Sequence, residues 1–144
     1  MAQDAEPDLS VLLEDYRAAV FAKDVEGFVS LYDEKVVVFD LWNEWSCEGI
    51  AAWRGLVLKW FSSMGENRDV VEFDQVQKLG EQDLATVHAF VSFRCVNPEG
   101  KELRSIRERL TWSLLRQGVK WRIVHQHTSV PVDFKTFKIL FGDH

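Results

Sequence analysis

Hydrophobic residues near the start of the chain recur at the spacing of an α-helix. They fall on one helical face and comprise Leu9, Leu12, Leu13, Tyr16, Ala19 and Val20. Glu14, Asp15 and Arg17 lie between them and would face water. Asp8 or Ser10 can cap this helix, because a short polar side chain accepts a hydrogen bond from an unpaired backbone amide.

Two more helices are predicted further along the chain. Asp24 is a suitable cap for a short second helix, whose inward positions are Val25, Phe28, Val29 and Tyr32. The third helix is predicted from the spacing of Ile50, Trp53, Val57, Trp60, Phe61 and Met64. Gly65 ends it, since glycine readily adopts the backbone conformation that closes a helix.

The rest of the chain has mostly the pattern of β-strands. A strand over residues 36–42 places Val36, Val38, Asp40 and Trp42 on one face. Later strands are predicted at 70–78, 84–96, 102–116 and 119–129, separated by turns that contain Gly or Pro. Helices followed by an antiparallel meander indicate an α+β fold, in which three helices pack on a curved antiparallel sheet and leave a pocket between.

The last strand has two unlike faces. One carries Trp121, Ile123, His125, His127 and Ser129, and the other carries Arg122, Val124, Gln126 and Thr128. A face that begins with apolar residues and continues with two histidines indicates a strand that runs from a packed core into a polar cavity. The pattern therefore predicts a pocket-forming fold.

Composition narrows the class of protein. The 144 residues suffice for one domain with a core, and the net charge of −6 with no basic block argues against a nucleic-acid partner. No apolar stretch reaches the roughly 20 residues of a membrane helix, and no signal peptide is recognisable. Cys47 and Cys95 lack a CxxC spacing, which favours free thiols and a cytoplasmic location.

The domain is predicted to span residues 9–131. Residues 1–8 form an acidic, flexible leader, and residues 132–144 form a tail that would cap the pocket or a dimer. Phosphate loops and common hydrolase or metalloprotease motifs are missing, so no cofactor is expected. His125 and His127 could bind a metal only with a third ligand, which the sequence does not supply, so no metal is expected either.

Three segments carry a resemblance to a known family: residues 16–40, 49–53 and 121–129. Together they resemble the nuclear transport factor 2-like superfamily, in its SnoaL-like and ketosteroid isomerase homologue branch. The resemblance implies a cone-shaped fold with a pocket at its open end. It also implies a homodimer formed through the sheet.

The resemblance assigns Tyr16 and Asp40 to the positions of an oxyanion-stabilising tyrosine and a general-base aspartate. Removing a proton next to a carbonyl needs a base near the C–H bond and a donor for the developing enolate oxygen. The alternative for Asp40 is a strand-end residue that caps a loop or binds an arginine. The alternative for Tyr16 is a core aromatic residue.

An ungapped comparison with the isomerases places Thr111 where they carry a second, protonated acid. Arg109 shares that strand face, whereas Glu108 lies on the opposite one. Threonine is a weaker donor than a protonated acid, which argues against steroid isomerisation. Arg109 would either pair with Asp40 or bind a ligand carboxylate.

The closing strand leaves two alternatives open. With the histidine face inward, His127 would be a donor and His125 a ligand contact, while Trp42 and Trp53 would contribute apolar contacts. The ungapped comparison instead turns Gln126 and Thr128 towards the pocket.

These inferences predict a small-molecule-binding SnoaL-like protein. Its chemistry would be cofactor-independent acid–base catalysis, of an isomerase, cyclase or dehydratase type, on a small apolar carbonyl or carboxylate compound. Asp40 would be the base, Tyr16 and His127 the donors, and Arg109 would orient the ligand.

The alternative is a non-catalytic ligand-binding or oligomerisation module. An enzyme should enclose a cavity on the order of several hundred Å³ with Asp40 unpaired, and a module should show a filled cavity or an Asp40–Arg109 pair.

Overall fold

The computed structural model describes residues 7–141. The elements in chain order are α1 (Leu9–Ala22), α2 (Val25–Val29), β1 (Tyr32–Phe39), β2 (Cys47–Glu48), α3 (Ile50–Ser63), β3 (Arg68–Glu81), β4 (Leu84–Val96), β5 (Glu102–Gln117) and β6 (Lys120–Ser129). Three helices and a curved, unclosed sheet form the predicted α+β cone, so the predicted fold class is confirmed.

The six strands form one sheet in the order β2-β1-β6-β5-β4-β3. Strands β3 to β6 are an antiparallel meander, and β1 pairs with β6 in parallel. The parallel pairing brings the end of β1 next to the end of β6, with Phe39 opposite His127. Residues that follow β1 therefore lie at the same edge of the sheet as the last residues of β6.

The helices begin where the sequence predicts. Asp8 accepts a hydrogen bond from the Ser10 amide at 2.9 Å, and Asp24 accepts one from the Gly27 amide at 3.0 Å. Both acids thus satisfy backbone donors that the first turn of a helix leaves unpaired.

The core lies between the helices and the concave face of the sheet. Its largest fully buried side chains include Trp112, Tyr32, Phe28, Leu114 and Ile123. Rings from α1, α2 and β5 meet there: Tyr16 lies 4.9 Å from Phe28 and 5.7 Å from Trp112, between ring centroids. This aromatic cluster holds the helices against the sheet and forms the closed end of the cone.

Strand pairing is irregular at several points, including one in β3 and one in β6. In β3 the pairing with β4 shifts between Asp74 and Gln77, and Gln75 has a positive φ of 53°. In β6 one extra residue separates Ile123 from His125 relative to the β5 partners Leu114 and Ser113. An extra residue of this kind is a β-bulge, which bends a strand and reverses the facing of the side chains beyond it.

Some boundaries differ from those expected from the sequence. Strand β1 begins at Tyr32, so this residue belongs to the sheet and not to the second helix. Cys47 and Glu48, which lie outside every predicted strand, form the short strand β2 against β1. Each of these residues is next to a turn, where local patterns are least informative.

The ends of the chain are described in part. Residues 1–6 of the predicted leader and 142–144 of the predicted tail lie outside the described residues. Within the tail, Val132 and Ile139 form an isolated antiparallel bridge. None of the helices within residues 7–141 has both the length and the apolar character needed to cross a membrane.

Candidate functional site

A cavity of about 590 Å³ opens between α3 and the concave face of the sheet. Its deep wall is aromatic and includes Tyr16, Trp53 and Trp60. Its polar lining residues are Asp40, Asn43, Lys59, Ser63, Asp69, Arg104, Ser105, Glu108, Gln126 and Thr128. A chamber with an apolar, aromatic wall and polar groups that point into it is a common form of a small-molecule site.

Asp40 follows directly after β1 and lies on the cavity wall. Its carboxylate accepts hydrogen bonds from the Trp42 amide at 3.2 Å and from the Thr128 hydroxyl at 3.3 Å. Burial raises the pKa of Asp40, and these two hydrogen bonds oppose the shift because they favour the ionised form. Asp40 is thus a partly desolvated acid held in a fixed orientation.

Glu108 is the second acid of the cavity. It lies on β5, is 5% exposed, and has no hydrogen bond to any residue within 7–141. Burial, reinforced by the negative charges of Asp40 and Asp69, raises the pKa of Glu108 to about 8. Glu108 is therefore mostly protonated at neutral pH and can donate a hydrogen bond.

Tyr16 places its ring in the aromatic cluster and also lines the cavity. Burial, together with the charges of Glu108 and Asp40, raises the pKa of Tyr16 well above its usual value. The hydroxyl therefore keeps its proton and remains a donor.

A third acid lies nearer to the mouth of the cavity. Asp69 accepts a hydrogen bond from the Trp60 indole at 3.1 Å. Burial raises the pKa of Asp69, while the Trp60 donor and the positive charge of Arg104 oppose that shift. Arg104 and Lys59 bring positive charge to the cavity from β5 and α3.

The bulge in β6 decides which face of the closing strand lines the cavity. Trp121 and Ile123 point into the core as expected, but beyond the bulge Gln126 and Thr128 take the inward positions. Of the two alternatives for this strand, the structure has the one that turns Gln126 and Thr128 towards the pocket. His125 and His127 do not line the cavity, because a strict two-residue alternation does not hold across the bulge.

The two histidines lie on the outer, convex face of the sheet. Their rings pack on Phe39, at centroid distances of 4.9 Å for His125 and 5.6 Å for His127. The Nδ1 of His125 lies 2.7 Å from the Val37 carbonyl oxygen and donates a hydrogen bond to it, since a carbonyl can only accept. His127 therefore cannot act as a donor in the cavity.

Arg109 and Thr111, which are predicted to line the pocket, do not line the cavity. Both are exposed on the outer face, where Arg109 donates a hydrogen bond to the Ser129 hydroxyl at 3.0 Å. The two faces of β5 carry the predicted sets of residues, but the face that carries Glu108 is the inner one. Glu108 therefore lies on the cavity side of the penultimate strand, and Thr111 does not.

The remaining predicted contacts lie on the cavity. Trp53 is buried in its wall, and Trp42 is about half exposed at its edge. Phe141, from the predicted tail, also contributes to the lining.

Sequence reasoning missed Glu108 and Arg104 as pocket residues. The signal for Glu108 was present, because it shares a strand face with Ile106, Leu110, Trp112 and Leu114. An acid among apolar residues on one strand face indicates either a buried ion pair or a cavity. For Arg104, an exposed residue near the start of β5, no such signal exists.

No three His, Cys, Asp or Glu side chains within residues 7–141 come together in a way that could hold a metal ion. The acids of the cavity lie apart in the sheet, with Asp40 directly after β1, Asp69 on β3 and Glu108 on β5.

A curved sheet covered by helices, with a cavity that combines an aromatic wall and polar groups, defines a small-molecule-binding domain. The SnoaL-like domain family matches residues 10–133, and the chain belongs to this family, within the nuclear transport factor 2-like superfamily. No curated protein is significantly similar in sequence.

Solved structures agree with this assignment. The chain is similar to an NTF2-like protein of unknown function from Pseudomonas putida KT2440, with 28% identity and a TM-score of 0.80 over 94% of this chain and 93% of that one. It shares its fold with an NTF2-like protein from Novosphingobium aromaticivorans, at 17% identity and a TM-score of 0.68 over 89% and 82% of the two chains. Aln2 from a Streptomyces species has the same fold at 10% identity and a TM-score of 0.73, over 84% and 86% of the two chains.

Proposed function

We propose that the cavity performs cofactor-independent acid–base chemistry on a small, mostly apolar carbonyl compound. The observation that carries this proposal is a pair of acids in one cavity with different environments. Asp40 is held by two donors that favour its ionised form, whereas Glu108 has no such donor and a pKa of about 8. Environments that separate two carboxyl groups in this way assign one as base and the other as acid.

In this mechanism, Asp40 removes a proton from the carbon next to the ligand carbonyl. The electron pair of the broken C–H bond moves into the new C=C bond, and the carbonyl π electrons move to oxygen. Glu108 and Tyr16 donate hydrogen bonds to that oxygen as its charge develops. Return of the proton from Asp40 to another carbon as the carbonyl re-forms gives an isomerase. In a dehydratase, the enolate electrons re-form the carbonyl and make a C=C bond to the neighbouring carbon, the C–O bond there breaks, and the hydroxyl takes the proton from Asp40 and leaves as water.

A carboxylate on the ligand would be accommodated at the mouth. Arg104 and Lys59 approach the cavity from opposite walls and would attract an anionic group there. Arg104 takes the ligand-orienting role that the sequence suggested for Arg109.

The alternative, a non-catalytic module, predicted a filled cavity or an Asp40–Arg109 pair. The cavity instead measures about 590 Å³, and Arg109 bonds Ser129 on the outer face. Both observations favour the catalytic proposal.

The test is exchange of α-protons for deuterium in a set of cyclic ketones: 1-indanone, 2-tetralone and cyclohex-2-enone. NMR in D₂O should show that the protein accelerates exchange of at least one of them. Asp40→Asn should lose this acceleration while keeping the fold. His127→Gln is the matched control on the outer face and should retain it. The proposal is wrong if ketones bind but exchange no faster than in buffer, or if Asp40→Asn exchanges as fast as the wild type.

We also propose that two copies of the chain pair through the outer face of the sheet. Its exposed apolar side chains support this proposal: Phe39, Leu79, Leu84 and Leu115. Light scattering should give the mass of a dimer. Leu115→Glu should give the monomer mass, since like charges would meet across the interface, whereas Val11→Glu on α1 should not. A monomeric wild type would contradict the proposal.

A further inference from the structure

Gln126 is a buried amide on the wall of the cavity, placed there by the bulge in β6. It is 2% exposed. Its Oε1 accepts two hydrogen bonds, one from the Tyr32 hydroxyl at 2.6 Å and one from the Trp112 indole at 2.9 Å. Both donors come from other strands, β1 and β5.

These two contacts determine which way the amide points. An indole N–H can only donate, so the atom that faces Trp112 must be the oxygen of Gln126. The Nε2 group, with its two donor hydrogens, is then on the other side of the amide. Among residues 7–141, none accepts a hydrogen bond from it.

The supports of Gln126 are themselves rigid. Trp112 is fully buried, and Tyr32 is 1% exposed. The Tyr32 ring packs against Phe28 and Trp53 at centroid distances of 5.3 and 5.6 Å. A donor fixed in this way needs no reorganisation when a ligand arrives, which is the property of a preorganised site.

The register of the sheet places this donor beside the two acids. Gln126 pairs with Val38 on β1, two residues before Asp40, and with Trp112 on β5, four residues after Glu108. The amide and both carboxyl groups line the same cavity on the concave side. The amide therefore lies deeper in the cone than either carboxyl group.

We propose that Gln126 is a specificity-determining residue, which selects ligands with an acceptor oxygen by donating a hydrogen bond from Nε2. Tyr32 and Trp112 are positioning residues that keep the donor turned inward. The inference rests on the proposed function in one respect, that the ligand is a carbonyl compound. A hydrocarbon of the same shape would leave the buried donor without a partner and would bind less well.

The experiment compares binding of 1-indanone with binding of indane, its hydrocarbon counterpart, to the full chain. Tryptophan fluorescence and calorimetry give both dissociation constants. The wild type should prefer the ketone, and Gln126 should contribute about tenfold to that preference, the worth of one buried hydrogen bond. Gln126→Met should lose this contribution through weaker ketone binding, with indane affinity retained. Thr111→Val on the outer face is the control and should keep the preference.

Gln126→Met leaves Tyr32 and Trp112 without their acceptor, so a second variant guards against misfolding. Gln126→Glu keeps an oxygen that accepts from Tyr32 and Trp112, and it replaces only the Nε2 donor group by a second oxygen. Its preference for the ketone should be lost at high pH, where the introduced carboxyl is ionised, and recover at low pH, where it can donate. A merely structural role would not produce this pH-dependent rescue.

The outcomes separate this inference from the proposed function. Ketone preference that depends on Gln126 supports the inference even if no α-proton exchange occurs. If the wild type shows no preference for the ketone, or if both Gln126 variants keep it at every pH, the inference is overturned. Neither of these results would affect exchange that depends on Asp40.

Discussion

The hydroxyl of Thr128 donates a hydrogen bond to the carboxylate of Asp40 at 3.3 Å and accepts one from the Leu41 amide at 3.0 Å. The contact joins the end of β6 to the end of β1, 88 positions apart in the sequence. Because the hydroxyl donates to the charged form of the acid, it favours an ionised Asp40 in a setting where burial disfavours it.

Replacing Thr128 by valine should therefore raise the pKa of Asp40 further. The variant keeps the size of the side chain and removes the donor. Catalysed α-proton exchange should then begin at a higher pH than in the wild type, because the base must first ionise. Ser129→Ala, which removes a hydroxyl on the outer face, should leave the pH dependence unchanged. If exchange by Thr128→Val rises over the same pH range as in the wild type, the threonine does not lower the pKa of Asp40.

Glu108 should make the folded protein less stable as the pH rises. Its pKa is about 8 in the folded chain and 4.5 in a model peptide, so the folded state holds a proton that the unfolded state has lost between these values. The free energy of unfolding contributed by this group is thus complete below pH 4.5 and declines towards pH 8, by at most about 1.4 kcal/mol per pH unit.

Urea unfolding of Glu108→Gln and the wild type at several pH values from about 5 to about 8 measures this contribution. Glutamine imitates the protonated acid, so the variant should gain stability relative to the wild type as pH rises. Glu99→Gln, in the hairpin between β4 and β5, removes the same charge and should follow the wild-type curve. A constant difference between Glu108→Gln and the wild type would mean that Glu108 titrates normally.

Arg104, at the mouth of the cavity, should contribute to the binding of an anionic ligand, whereas Arg109 should not. Arg104→Met should weaken binding of indane-2-carboxylate by up to about fivefold, the usual range for an exposed ion pair. Binding of 1-indanone, which has no charge, should stay the same. Arg109→Met is the matched control, because that guanidinium lies on the outer face. Equal losses in both variants would indicate a general effect of protein charge.

Much of the fold follows from local patterns in the sequence. Helices depend on contacts between residues that are close in sequence, so their pattern can be read locally. This holds for the helical spacing from Leu9 to Val20 and for the caps Asp8 and Asp24. The strand pattern predicted the meander as well, because each strand has one face buried against the helices.

The site was less predictable, for a physical reason. The side chains of a strand alternate only while its pairing is regular, and the bulge before His125 reverses the alternation. That single extra residue turns Gln126 and Thr128 inward and the histidines outward. The sequence also does not determine which face of β5 points into the cavity, since the burial of Glu108 depends on contacts with distant parts of the chain.

The most direct measurement of the central claim is the pH dependence of α-proton exchange in the wild type and in Glu108→Gln. The proposed chemistry needs an ionised Asp40 and a protonated Glu108. The wild-type rate should therefore rise with pH as the base ionises and fall again near pH 8 as Glu108 loses its proton. Glu108→Gln, whose amide donates at every pH, should lose the alkaline fall. A fall near pH 8 that persists in Glu108→Gln would contradict the assignment of Glu108 as the acid of this cavity.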